Sequence, residues 1–275
     1  MTKVSEGAKK KYFAKIAPLR EKIYKLESKE RNIARMLQAN DPGAVYKRLA
    51  LVEDYLTAAS YHLAMNTLSV SLMGIRSEHD LSEAKKSCSF AIVQLEHVFT
   101  NLIDVPFQDY EASLKATSSF DEFRRYTLIR KAGLALSMVK DGFSENSKWK
   151  WSLVALEARL AVVAKNCLDL QTLVQGMDPR HVGYRERTEY FKLTQKMLQD
   201  AADGYRKKYE ITTKSAEDFR LAINFLGALR RLSLLLGRQN EANEFKKKSE
   251  IWRKNMESES KKQESWLVMN RPGST

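Results

Sequence analysis

Residues Glu217–Met256 read EDFRLAINFLGALRRLSLLLGRQNEANEFKKKSEIWRKNM. Phe219, Ile223, Leu226, Leu229, Leu232 and Leu236 recur at three- and four-residue steps, which places them on one face of a helix. Gly237-Arg238 interrupts the pattern, and Ala242, Phe245, Ser249 and Trp252 resume it. A break this short predicts a second helix folded back antiparallel on the first. The same spacing runs through the rest of the chain, and the fold class predicted from it is all-α.

Composition agrees. The 275 residues contain 11 Gly and 5 Pro, too few breakers for many short strands, and 43% hydrophobic residues, enough for a sizeable core. Residues 5–39 form a first helix whose seam is Tyr12, Ile16, Leu19, Ile23, Leu26, Ile33 and Leu37, with Glu30 as its polar member and Pro18 expected to kink or break it. That seam packs either inside the chain or against a second copy, so a homo-oligomer through residues 5–39 stays open. Asn40-Asp41-Pro42-Gly43 is a turn by composition, with Asp41 as the next cap. Residues 43–73 carry two adjacent apolar stripes. One is Val45, Leu49, Val52, Leu56, Ala59, Leu63, Asn66, Val70 and Met73; the other is Leu51, Tyr55, Ala58, His62, Met65 and Leu72. A helix so widely apolar is expected between neighbours.

Further helices are expected from Leu81 to about Ile103, from Phe107 to Thr117, over Phe120–Lys140 with Phe123, Ile129, Leu134 and Met138 inward, over 148–175, and over Tyr184–Tyr209. Ser118-Ser119 and Ser147 are the expected caps of two of them. The architecture is then about eight or nine long antiparallel helices in a bundle or short irregular solenoid. It forms one unit over 1–275, with a subdivision into 1–140 and 147–275 left open.

The hairpin Phe225–Trp252 resembles a tetratricopeptide repeat. Leu226 and Leu229 fall at the large residue and Leu of that motif, Gly237 at its turn and Ala242 at its small residue, while Arg230, Ser233 and Lys246 depart from it. The resemblance implies a solenoid-like array that binds partners on a concave face, and implies no enzymatic activity. No family is recognised over the whole chain from these residues.

Formal net charge is +13, concentrated at the two ends: residues 1–41 carry +6 and residues 184–275 carry +7. This favours an acidic partner. Three basic triplets stand beside aromatics: Lys9-Lys10-Lys11, Arg206-Lys207-Lys208 and Lys246-Lys247-Lys248, with Arg230-Arg231 in addition. Trp149, beside the core residue Trp151, is read as an exposed interface anchor or as a plug of the preceding loop. Trp266 is read as part of a docking peptide or a packed tail. The loop Asp178-Pro179-Arg180-His181, with Tyr184 and Arg185, holds the densest mix of reactive side-chain types and defaults to a polar interhelix connection.

No Gly-rich phosphate loop, nucleophile elbow or C-x-x-C occurs, and none of the four histidines follows a Glu at the di-iron spacing. No catalytic, cofactor-binding or metal-ligating residue is assigned, and no cofactor. Cys88 and Cys167 sit within apolar helical patterns and are expected as buried thiols of a cytoplasmic protein. The leading expectation is a non-enzymatic scaffold or adaptor that binds another protein with an acidic surface. The alternatives are a nucleic-acid-binding module and a helical-bundle enzyme with an interior site.

Overall fold

The computed structural model describes residues 4–37, 43–143 and 147–269, with side chains described as far as Ser258. Among these the fold is all-α. The helices are α1 (Glu6–Met36), α2 (Ala44–Met73), α3 (Glu78–Phe99), α4 (Glu111–Ala116), α5 (Glu122–Gly142), α6 (Lys150–Asn166), α7 (Leu170–Gln175), α8 (Tyr184–Lys208), α9 (Ala216–Leu235) and α10 (Gln239–Met269). The turn at 40–42, with Asp41 as cap, and the loop residues 144–146 lie outside the described residues.

Registers between helices follow from their cross-links. Glu30 accepts the Tyr55 hydroxyl while Tyr12 and Ile16 pack in one cluster with Met65, so α1 and α2 run antiparallel. His62 meets Asp80 and Arg48 meets Gln94, so α2 and α3 are antiparallel too. Helices α1 and α3 therefore lie parallel on α2. Further on, Lys85–Ser152 and Arg159–Glu96 set α6 parallel to α3. At the C-terminal end Lys208–Asp218 makes α9 antiparallel to α8. Phe219–Trp252 does the same for α10 on α9, and Lys248–Asp203 returns α10 beside α8. One hydrophobic cluster runs from Leu49 in α2 to Trp252 in α10, and a smaller one joins α1 to α2.

The α9–α10 hairpin has the expected turn. Gly237 sits at φ +69, and its N–H and that of Arg238 bond back to Leu234 and Ser233 carbonyls, which ends α9 in the manner of a glycine C-cap. Helix α1 runs unbroken through Pro18, and its seam packs on α2 of the same chain. Both stripes of α2 are used, one against α3 and one against α1. Val70 is 48% exposed because a strict heptad stripe drifts about 20° per repeat around a straight helix. Asn66 is buried, and its amide oxygen accepts the Ser77 N–H, so this seam polar residue organises the turn into α3.

Four expectations are corrected. Helix α5 is rotated from the predicted face: Phe123, Leu134 and Met138 are exposed, and Leu128, Ile129, Ala132, Leu136 and Val139 point inward. The cause is the buried Arg125, which donates to the Leu114 and Thr117 carbonyls, together with the Lys131–Glu53 and Lys140–Glu157 pairs. Its cap is Asp121 rather than Ser118 or Ser119. The single helix expected over 148–175 breaks after Asn166, because the Asp169 carboxylate caps a new helix through the Gln171 and Thr172 N–H groups. Helix α3 stops at Phe99, where Thr100 takes φ +68 and ψ 165, a region costly for a β-branched residue.

Asn166 holds that strained turn. Fully buried, its amide nitrogen donates to the Thr100 carbonyl and hydroxyl and to the Leu102 carbonyl. Asn166→Ala would strand these acceptors, and we expect urea denaturation to show a loss of about 2 kcal/mol.

Candidate functional site

A concavity lies between α1 and α3, over α2. It is an open groove of about 310 Å³. Leu51, Asp54, Tyr55, Ala58 and His62 of α2 form its floor. Ile23, Leu26, Glu27, Glu30 and Arg31 form the α1 wall, and Glu83, Lys86, Ser87 and Phe90 the α3 wall. The lining mixes an apolar set, Ile23, Leu26, Leu51, Tyr55, Ala58 and Phe90, with charged residues from all three helices. Phe90 is 41% exposed and its ring lies 5.5 Å from that of Tyr55.

The groove exists because both walls are pinned to the same helix. Tyr55 donates to Glu30 at 2.6 Å, and Lys29 pairs with Asp54. Burial and the Glu30 carboxylate push the Tyr55 hydroxyl pKa well up, so it stays a donor. Beneath the floor Asp80 of α3 links all three helices. Ser77 Oγ donates to it at 2.6 Å, His62 Nδ1 lies 3.5 Å away, and Tyr12 of α1 lies beside it. At 3.5 Å the His62 contact is electrostatic rather than a well-formed hydrogen bond. Burial alone would raise the Asp80 pKa. His62, Ser77 and the charge of His79 outweigh it, and the net shift is downward.

This trio does not have the order of a hydrolase triad. A nucleophilic serine must bond to the imidazole, whereas the Ser77 hydroxyl is spent on the carboxylate. The thiols are no better placed: burial pushes Cys88 up to about 12 and Cys167 higher still. Among the described residues no group of three or more His, Cys, Asp or Glu could hold a metal ion.

Along the outer side of α1 runs a second stripe at three- and four-residue steps: Lys10, Phe13, Arg20, Tyr24, Arg31 and Arg35, with Ala17 and Ser28 between them. Phe13 is 55% exposed and Tyr24 64%. The ion pairs of α1 are Lys9–Glu6, Lys25–Glu21 and Lys29–Asp54, and none of the stripe's four cations takes part in one among the described residues. Arg31 belongs both to the stripe and to the groove wall.

The residues singled out from sequence are distributed differently. Arg206 and Lys248 come together on Trp252, each 4.9 Å from its ring. Both are spoken for, by Glu210 and Asp203 respectively. Lys208 pairs with Asp218, Lys246 with Glu250 and Arg231 with Asp104, so the triplets do not form one free basic groove. Lys207, Arg230 and Lys247 are exposed without an ion-pair partner among the described residues. Trp149 is half-buried against Phe143 with the Lys85 ammonium 3.6 Å from its ring, so it plugs the loop rather than standing free. The Asp178 carboxylate is bound by Arg180, while His181 and Arg185 are exposed and Tyr184 starts α8 half-buried. Trp266 lies on α10 and its side chain is outside the described residues.

A second polar cluster, where α6 meets α9 and the segment after α3, was missed in the sequence. Lys165 is 3% exposed, with its ammonium 4.6 Å from the Tyr110 ring and no carboxylate in ion-pair range among the described residues. Burial pushes its pKa down to about 8. Nearby, the Asp104 carboxylate reaches Arg231 by lying against Gly227, where a Cβ would come within 2.5 Å of it.

A family model covers residues 8–260, nearly the whole chain. The chain belongs to the TP0443 family. The family spans the hairpin from which the tetratricopeptide resemblance was read, and both helices of the groove. No curated protein and no solved structure matches the chain. Within this TP0443-family chain the groove and the α1 stripe are therefore judged on their own chemistry.

Two titrations check the geometry. The Asp80 pKa is depressed on folding, so its contribution is present above the ordinary carboxylate range and is lost as pH falls through the folded value. Asp80→Asn should lower stability at pH 7 and flatten the acid limb below about pH 4 in thermal melts. Lys165 has the opposite sense: its folded pKa, about 8, lies below the ordinary value of 10.5. Its burial penalty is full below pH 8 and fades between the two values. Lys165→Met should stabilise the protein at pH 7 by up to ~3 kcal/mol, with the gap to wild type closing as pH rises toward 10.5.

Proposed function

We propose that this protein is a helical scaffold that holds a segment of another protein in the α1–α3 groove. The observation that carries this is an open cleft between two long helices, lined by Ile23, Leu26, Leu51, Tyr55 and Ala58 as well as charged residues, with the exposed aromatic Phe90 on its wall. Such a cleft suits an extended or helical segment better than a small molecule, which needs enclosure. The solenoid-like succession of helices, and the likeness of the α9–α10 hairpin to a tetratricopeptide unit, fit the same role.

Binding of nucleic acid is the second reading, favoured by the cations and aromatics of the α1 stripe. The two separate cleanly. Phe90 and, as a distant control, Val182 (96% exposed) are each replaced by a photo-crosslinking phenylalanine analogue and irradiated in native extract. The scaffold predicts a stoichiometric protein adduct at position 90, absent at position 182 and lost on adding Leu26→Glu. Equal labelling at both positions, or adducts with nucleic acid alone, would overturn it.

A further inference from the structure

We infer that the partner is an acidic amphipathic helix lying alongside α1, its carboxylates on the Arg20–Arg31–Arg35 side and its apolar edge turned into the groove. This rests on the scaffold proposal and specifies its ligand. Three observations combine. The stripe cations have no ion-pair partners among the described residues, although most other basic clusters of the chain have been paired internally. The stripe follows helical spacing, and at 1.5 Å per residue it is about 38 Å long from Lys10 to Arg35. It shares Arg31 with a groove whose apolar lining includes Leu26, Tyr55 and Phe90.

The same features argue against other anions. A duplex nucleic acid carries a charge every ~1.7 Å of its axis, whereas the stripe offers a cation about every 12 Å. The adjoining groove presents Glu27, Glu30, Asp54 and Glu83, which would repel a phosphate backbone but leave room for a helix that is acidic along one edge only. An anionic bilayer needs an unbroken row of large aliphatic or aromatic residues along the buried face, and here Ala17 and Ser28 interrupt Phe13 and Tyr24. A second copy of this chain would bring the same cations to the contact. Arg20 and Arg31 are eleven residues apart, three helical turns, so carboxylates with the same separation on a partner helix meet both.

The test uses the full chain and a designed helical peptide with Glu along one edge and Leu and Ala along the other. It is compared with a scramble of the same composition, a single-stranded dT oligonucleotide, and phosphatidylserine-containing vesicles, each by fluorescence at two salt concentrations. We expect the helical peptide to bind about tenfold more tightly than its scramble. Joint reversal of Arg20, Arg31 and Arg35 to Glu should lose about tenfold with the circular dichroism melt unchanged, since all three side chains are exposed. The inference is overturned if the helical peptide does not bind, if the scramble binds equally, if the charge reversal has no effect, or if the oligonucleotide or vesicles bind more tightly through the same arginines. If it is overturned while position 90 still captures a protein, the partner's chemistry is wrong and the scaffold survives. Loss of both removes the scaffold as well.

Discussion

The structure is organised by the breadth of the apolar surface on α2. A helix apolar around so much of its circumference cannot face water on any broad side, and it is covered by α1, α3 and α5. Two of these coverings, α1 and α3, run antiparallel to α2 and therefore parallel to each other. Side chains of α2 keep them apart, and the space left between them is the groove. Asp80 makes the arrangement specific, because a buried carboxylate must be satisfied and its neighbours come from all three helices. The concavity is thus a consequence of how α2 is buried.

Charge is deployed unevenly. Along α8, α9 and α10 most of the basic residues that look conspicuous in one dimension meet carboxylates in three. Each such surface pair contributes little to stability, of order 0–1 kcal/mol, but it removes a cation from the field that a partner meets. Helix α1 is the exception. It packs chiefly on α2, and its outer side keeps cations that no acidic residue approaches within ion-pair distance among the described residues. Net charge marks both ends of the chain, and only the pairing with carboxylates separates α1 from α8, α9 and α10.

The features missed in the sequence share one cause. Lys165, Asn166 and Arg125 lie in helices beside apolar residues, and nothing local marks them as buried. They are buried because a strained turn at Thr100, a carbonyl at Thr117 and the ring of Tyr110 are brought to them from elsewhere in the chain. The outer stripe of α1 was legible in principle, since Lys10, Phe13, Arg20, Tyr24, Arg31 and Arg35 obey helical spacing. Read as a run of lysines at 9–11 it is a patch; read by helical face it is a line.

Local periodicity by itself determined the fold class, the long helices, the tight turn at Gly237, the buried cysteines and the burial of α2 from two sides. These depend on interactions within a few residues, and the spacing of apolar side chains encodes them directly. Tertiary structure alone decided the rotation of α5, the break after Asn166, which cations are neutralised and where the groove lies. Each of these is set by a partner distant in sequence: Glu53 for Lys131, Asp203 for Lys248, Thr100 for Asn166. A helix's own sequence specifies which face is apolar to within a turn or so, and the contacts that choose among near-equivalent rotations belong to the neighbours it packs against.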